Sequence, residues 1–218
     1  MEQTDIWSIN PSTSATFFKT AAVVTGGVFP RALTLTNTDP VVAKEGAGYR
    51  LVFTSAGNDS GITFTINGAV VGNLVDGASA VNYPEVVTGG NAGAVNSVYY
   101  YSRIDSIVIS GAAAGTVSVG TTGDLALPRC RVKGFYIVSA AGAGSLKIDR
   151  HTHTTTNGTP TTVTPGIAEN ILDITTPGGV TLTQFLSLPG QGILTGKQQN
   201  DFSVVVATTL TDFTLFCA

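Results

Sequence analysis

The chain has 218 residues, of which 43% are hydrophobic and only 11% are charged, and its formal net charge at pH 7 is −3. This charge is too small to indicate a nucleic-acid-binding protein or an acidic tail, and no apolar run approaches the roughly 20 residues that span a bilayer. Because an average soluble domain carries about 25% charged residues, the low charge favours a protein whose surface is largely covered by other subunits.

Residues 1–26 are predicted to form an N-terminal arm. They contain no clear series of strands, but Trp7, Phe17 and Phe18 supply aromatic side chains that a free linker would not need. We therefore expect the arm to dock either on the body of its own chain or on an adjacent subunit. The opening residues lack the basic and apolar regions of a signal peptide, which indicates synthesis in a cytoplasm.

Short strands are predicted along the rest of the chain. Each candidate is rich in Val, Ile, Thr and aromatic residues and is bounded by Gly, Asn, Asp, Ser or Pro. These segments are 31–37, 49–55, 61–68, 102–111, 115–120, 133–139, 144–149, 170–176, 201–209 and 212–218. Residues 166–174 fit either a short helix or a strand. The pattern predicts an all-β fold of two small antiparallel β-sandwich or jelly-roll-like domains, at 27–127 and 128–218.

Two stretches rich in Gly and Ala have the same layout. The sequence IVISGAAAGTVSV at 107–119 aligns with YIVSAAGAGSLKI at 136–148. Each is predicted to be a β-hairpin, because glycine adopts the positive φ of tight turns at little cost. The first stretch lacks the Gly-Lys-Ser/Thr ending of a phosphate-binding loop and does not lead into a helix, which excludes that function.

Residues that carry catalytic chemistry are scarce. The two histidines, His151 and His153, lie in DRHTHTTTNG, and Asp149 shares their strand face by period-two spacing. The three could ligate a metal ion, but an exposed, threonine-rich hairpin tip is the favoured interpretation. The acidic residues lie mostly at strand ends and turns, where aspartate bonds nearby backbone N–H groups. We therefore predict a protein that is not an enzyme and that has no catalytic residue, cofactor or metal.

Two groups of residues are candidate interface positions beside the arm. Alternation places Tyr99 and Tyr101 on one strand face and Tyr100 on the other, so at least one ring is expected at the surface or in an interface.

The second group is basic. Arg129, Arg131 and Lys133 alternate along one strand face, and Lys147 and Arg150 are expected on a paired strand. This cluster is either an electrostatic dock for an acidic partner subunit or a solvated strand face that discourages edge-to-edge aggregation.

Several of these segments also resemble a known family. NDSGITFTINGAVVGNLV, then TGGNAGAVNSVYYY and RIDSIVISGAAAGTVSVGTTG, resemble a segment that recurs in small virion proteins of tailed bacteriophages. The resemblance continues in four later segments and covers 57–218. These segments are RVKGFYIVSAAGAGSLKID, ILDITTPGG, LSLPGQGIL and SVVVATTLTDFTLFC. DRHTHTTTNGTPTTVTPGIAEN departs from it and looks like an elongated hairpin. The resemblance implies a non-enzymatic structural component of the particle and brings no catalytic residues.

The expected function follows from this resemblance. We expect a virion structural protein, foremost a capsid decoration (cement) protein that stabilises the phage head through burial between subunits. Its expected partners are the major capsid protein or other virion proteins, with association into a homo-oligomer such as a trimer and with neither nucleic acid nor membrane as a partner. The alternatives are a tail-associated or fibre- or receptor-contacting phage protein and, less favoured, a carbohydrate-binding protein.

Overall fold

The computed structural model describes residues 5–8, 14–36, 47–71, 84–127, 131–139, 142–156, 159–178, 181, 183–188, 190, 192–194 and 201–217. Within these residues the chain forms fifteen β-strands and no α-helix. The strands are β1 (Asp5–Ser8), β2 (Ser14–Val23), β3 (Arg31–Ala32), β4 (Gly48–Ser55), β5 (Thr63–Val70), β6 (Glu85–Thr88), β7 (Ala94–Ile109), β8 (Thr116–Leu127), β9 (Arg131–Ser139), β10 (Gly144–Thr156), β11 (Thr159–Thr176), β12 (Thr183–Ser187), β13 (Ile193–Leu194), β14 (Asp201–Thr208) and β15 (Leu210–Cys217). The predicted all-β fold is confirmed, and residues 166–174 lie in a strand. No helix of the described residues is long and apolar enough to cross a membrane.

The strands pair antiparallel in two sheets. The five-stranded sheet has the order β1-β15-β9-β12, and β13 also pairs with β9. The ten-stranded sheet has the order β11-β10-β14-β8-β4-β7-β5-β6, with β2 on β8 and β3 on β7. Since β9 and β15 lie in the smaller sheet while β8, β10 and β14 lie in the larger one, the second half of the chain crosses repeatedly between the two sheets.

The two predicted hairpins are absent, so this prediction is wrong. Strands β7 and β8 are consecutive in the chain, but β4 lies between them and pairs with both. Strands β9 and β10 belong to different sheets. A glycine-rich turn permits a local reversal, but the partner of each strand is chosen by burial and by pairing with distant segments.

The loop between β7 and β8 instead packs on another loop of the same chain. The backbone N–H of Ala114 donates to Oδ1 of the buried Asp59 at 2.7 Å, and that of Ala113 donates to the carbonyl oxygen of Val24 at 2.8 Å. A Cβ on Gly115 would lie only 2.8 Å from the backbone nitrogen of Gly57. The loop therefore requires small residues because two backbones meet there.

Described parts of the N-terminal arm dock on the chain itself. Strand β1, which contains Trp7, pairs with β15, and β2 pairs with β8. The Phe18 ring is fully buried, and the half-buried Phe17 ring meets it edge to face at a centroid distance of 4.9 Å. A Cβ on Gly120 of β8 would overlap the carbonyl oxygen of Ser14, so a glycine is required for β2 to lie this close.

Two hydrophobic clusters fill the interior. The first contains Phe18, Leu51, Phe53, Phe64, Ile66, Tyr101, Ile104, Ile107, Val117, Val119 and Val204 among others. The second contains Tyr49, Leu125, Leu127, Val132, Phe135, Ile137, Leu146, Ile148, Val205, Phe213 and Leu215 among others. Strands β8 and β14 contribute to both clusters, so the larger sheet links them. The boundary between 127 and 128 stays a prediction.

Candidate interaction surfaces

The three consecutive tyrosines are all buried. Tyr99 and Tyr100 are each 5% exposed, and Tyr101 is 0% exposed. The expectation that one ring reaches the surface is wrong because both faces of β7 are covered at this point. On the Tyr100 side, the ring meets the His151 imidazole of β10 edge to face, with a centroid distance of 6.5 Å.

Tyr99 and Tyr101 belong to a site around a buried carboxylate, Glu85, which sequence reasoning missed. The carboxylate accepts hydrogen bonds from the backbone N–H groups of Val98 and Tyr99 and from the Tyr101 hydroxyl at 3.0 Å. Burial raises the pKa of Glu85, although these bonds and the charge of Arg50 oppose the rise. Because every partner is a donor, the carboxylate serves to fasten β6 to β7.

The sequence did carry a signal for this site. In the short strand EVVT, Glu85 and Val87 are buried, while Val86 and Thr88 are exposed. A carboxylate at an inward-facing strand position requires hydrogen-bond donors, and consecutive residues of β7 supply them.

A second group of ionisable side chains lies where β4, β7, β8 and β10 approach one another. Burial raises the pKa of the Tyr100 hydroxyl, the charges of Asp124 and Asp149 raise it further, and Arg50 lowers it. Tyr100 therefore stays protonated at neutral pH. Burial likewise raises the pKa of Asp124, against a hydrogen bond from Thr122 and the charge of Arg50.

These groups are engaged with neighbouring strands. Arg50 Nε donates to the Ser97 carbonyl oxygen at 2.6 Å, and Asp149 accepts a hydrogen bond from Asn170 Nδ2 at 3.0 Å. Within the described residues, no three His, Cys, Asp or Glu side chains are grouped as a metal site. His153 lies in β10, but its side chain is outside the described set. The observed contacts make this cluster a polar junction between strands.

The predicted basic strand face is only partly assembled. Arg131 and Lys133 lie half-buried in β9 on either side of the buried Val132, while Arg129 lies outside the described residues. Because β10 belongs to the other sheet, Lys147 and Arg150 are not on a strand paired with β9, and that expectation is wrong. Lys147 instead forms an ion pair with Asp173 at 3.2 Å.

The five-stranded sheet has one face on the second cluster and another turned away from it. Alternation directs Phe135, Ile137 and Leu215 inward and leaves an outer face, which we define as Tyr136, Val138, Phe185 and Phe216. The Phe185 side chain is 61% exposed and meets the Phe216 ring edge to face at 5.4 Å. Tyr136 lies beside Phe185 in the strand register. An aromatic surface of this kind is typical of contact sites.

A groove with a different character lies between β2 and β3. We name it the basic groove; its volume is about 300 Å³, and it is lined by Lys19, Val23, Val24, Arg31, Ala32, Leu33 and Thr34. Lys19 Nζ donates to the Thr34 carbonyl oxygen at 3.4 Å, and Arg31 Nη1 donates to the Gly26 carbonyl oxygen at 3.1 Å. The Arg31 guanidinium also lies 5.2 Å from the centre of the Phe29 ring.

Comparisons with known proteins add no identification. No family model matches this sequence, and neither a curated protein nor a solved structure matches it. The outer face of the five-stranded sheet and the basic groove are therefore the features that bear on function.

Proposed function

We propose that this chain is a non-enzymatic virion structural protein of a tailed bacteriophage, and that it decorates and cements the capsid. The observation that carries the proposal is the outer face of the five-stranded sheet, where Phe185 is 61% exposed beside Phe216. The low charged fraction of 11% supports it as well, since it suits a surface that other subunits cover.

The proposed mechanism is the burial of surface between subunits. A specific protein–protein interface buries about 1,200–2,000 Å² in total, and exposed aromatic side chains such as Phe185 are its usual anchors. The partner is the major capsid protein or another virion protein, and the chain associates as a cyclic homo-oligomer such as a trimer. High copy number multiplies a modest stabilisation at each site.

The architecture proposed for this role has two sandwich-like units, each built around one of the two hydrophobic clusters. This division is supported by the separation of Phe53 and Phe64 in the first cluster from Phe135 and Phe213 in the second. Rigid sheets suit the role because a preformed surface loses little conformational entropy on binding.

The test is a comparison of phage particles with and without the protein. Particles that carry the protein are expected to withstand higher temperatures and stronger osmotic shock than particles of a phage that lacks its gene. The variant Phe185→Ser should reduce attachment, whereas Val86→Ser removes an equally exposed valine from the other sheet and serves as the control. Equal robustness of particles with and without the protein would contradict the proposal.

A further inference from the structure

The basic groove is preformed by two walls that the first hydrophobic cluster holds in place. Phe18 and Val24 on one wall and Leu33 on the other are buried in that cluster. The backbone N–H of Thr36 donates to the Phe18 carbonyl oxygen at 2.6 Å, which ties the walls together. A ligand that enters the groove therefore meets a fixed surface.

The groove is positively charged. Lys19 and Arg31 are the only charged side chains among the described residues that line it. Among the described residues, neither forms an ion pair, and their hydrogen bonds go to the carbonyl oxygens of Thr34 and Gly26. An ammonium has three donors and a guanidinium has five, so both cations keep N–H groups for an incoming anion.

Apolar side chains flank the two charges. Val23 lines the groove and is 62% exposed. A volume of about 300 Å³ lies at the small end of the range for ligand sites, which suits one or two side chains. Two cations beside the exposed Val23 suit a peptide that carries a carboxylate and an apolar residue.

We propose that the basic groove docks an acidic segment of the neighbouring protein in the assembly. A carboxylate of that segment binds Lys19 and Arg31, and an adjacent apolar side chain packs on Val23. This inference rests on the proposed function only in placing the chain in a particle. The groove would be a second contact, separate from the outer face of the five-stranded sheet.

Zero-length carbodiimide cross-linking of purified particles tests the contact directly, because it joins a lysine amine only to a carboxylate that touches it. Mass spectrometry is expected to find Lys19 joined to an Asp or Glu of another protein molecule. Cross-links at other lysines but none at Lys19 would overturn the inference. Absence of the chain from the particles would contradict the proposed function instead, so the two failures are distinguishable.

Paired variants measure what the groove contributes. Lys19→Gln with Arg31→Gln removes both cations, and Lys147→Gln with Arg103→Gln removes two surface cations that already pair with Asp173 and Asp105. The variant with Lys19→Gln and Arg31→Gln is expected to bind particles that lack this protein about tenfold more weakly than the control variant does. Equal binding by the two variants at low salt would overturn the inference.

A conservative variant separates docking from folding. Lys19→Arg keeps the positive charge but removes the amine, so it is expected to lose the cross-link and to retain normal attachment. Thermal unfolding of each isolated variant checks that the fold is intact. Normal attachment of a folded variant that carries both Lys19→Gln and Arg31→Gln would overturn the inference as well.

Discussion

Replacement of Phe18 by Ala tests whether β2 belongs to the core of its own chain. The Phe18 ring is fully buried in the first hydrophobic cluster, and truncation of such a ring typically costs about 3–5 kcal/mol. For a chain of this size each kcal/mol lowers Tm by roughly 2–4 °C, so the expected fall is roughly 6–20 °C. The neighbouring Phe17 ring is only half-buried, and Phe17→Ala is expected to cost about 1 kcal/mol.

The assay is urea and thermal unfolding followed by circular dichroism, repeated at several protein concentrations. If β2 docks on its own chain, the difference between the two variants is independent of concentration. A Phe18→Ala variant as stable as Phe17→Ala would refute the assignment of Phe18 to the core. A difference between the two variants that changes with protein concentration would show instead that β2 docks on a neighbouring subunit.

Three further predictions concern other parts of the molecule. Gly120→Ala should lower the free energy of unfolding by about 1–3 kcal/mol, because the Cβ of the new alanine meets the Ser14 carbonyl oxygen. Urea unfolding measures this loss, and an unchanged midpoint would contradict the close approach of β2 to β8. Because burial raises the pKa of Glu85, the contribution of this residue to the free energy of unfolding should fall as the pH rises from 4.5 through that pKa. Over this range the free energy of unfolding of wild type should therefore decline relative to that of Glu85→Gln, and parallel curves in a pH series would contradict this. Phe185→Ser should change the free energy of unfolding by less than about 0.5 kcal/mol while weakening attachment to particles, and a large loss of stability would mean that Phe185 belongs to the core.

The strands were predictable because alternation is a local signal. The segments at 49–55 and 133–139 correspond closely to β4 and β9. The short strand EVVT follows the same alternation. Strand β2 was missed because its side chains do not alternate cleanly and its pairing with β8 includes two register shifts. Irregular pairing of this kind leaves no period-two pattern in the sequence.

Strand partners were not predictable from local sequence. The Gly/Ala stretch at 107–119 has the composition of a hairpin turn, but β4 lies between its flanking strands. The alternation of Tyr99, Tyr100 and Tyr101 predicts opposite faces, but it cannot reveal that Tyr100 is buried and meets the His151 ring of β10. Composition fixes where the chain turns, and long-range burial decides what it turns toward.

The candidate surfaces were still less predictable. Lys19 and Arg31 are separated in sequence, and neither belongs to a charged cluster that would attract attention. They share a groove only because β2 pairs with β8 and β3 pairs with β7, and both strands pack on the first hydrophobic cluster. Phe185 lies on the edge strand β12. Its outward direction follows from the packing of the next residue, Leu186, against the second cluster, which the sequence alone does not show.

The most direct test of the proposed function is the number of copies of this chain in each purified phage particle, measured by quantitative mass spectrometry against the major capsid protein. A capsid decoration protein in a closed shell is predicted at on the order of hundreds of copies. A count of about 3, 6 or 12 would contradict a capsid role and indicate a tail position, because those numbers follow from cyclic symmetry. Absence from the particles would contradict a virion role altogether.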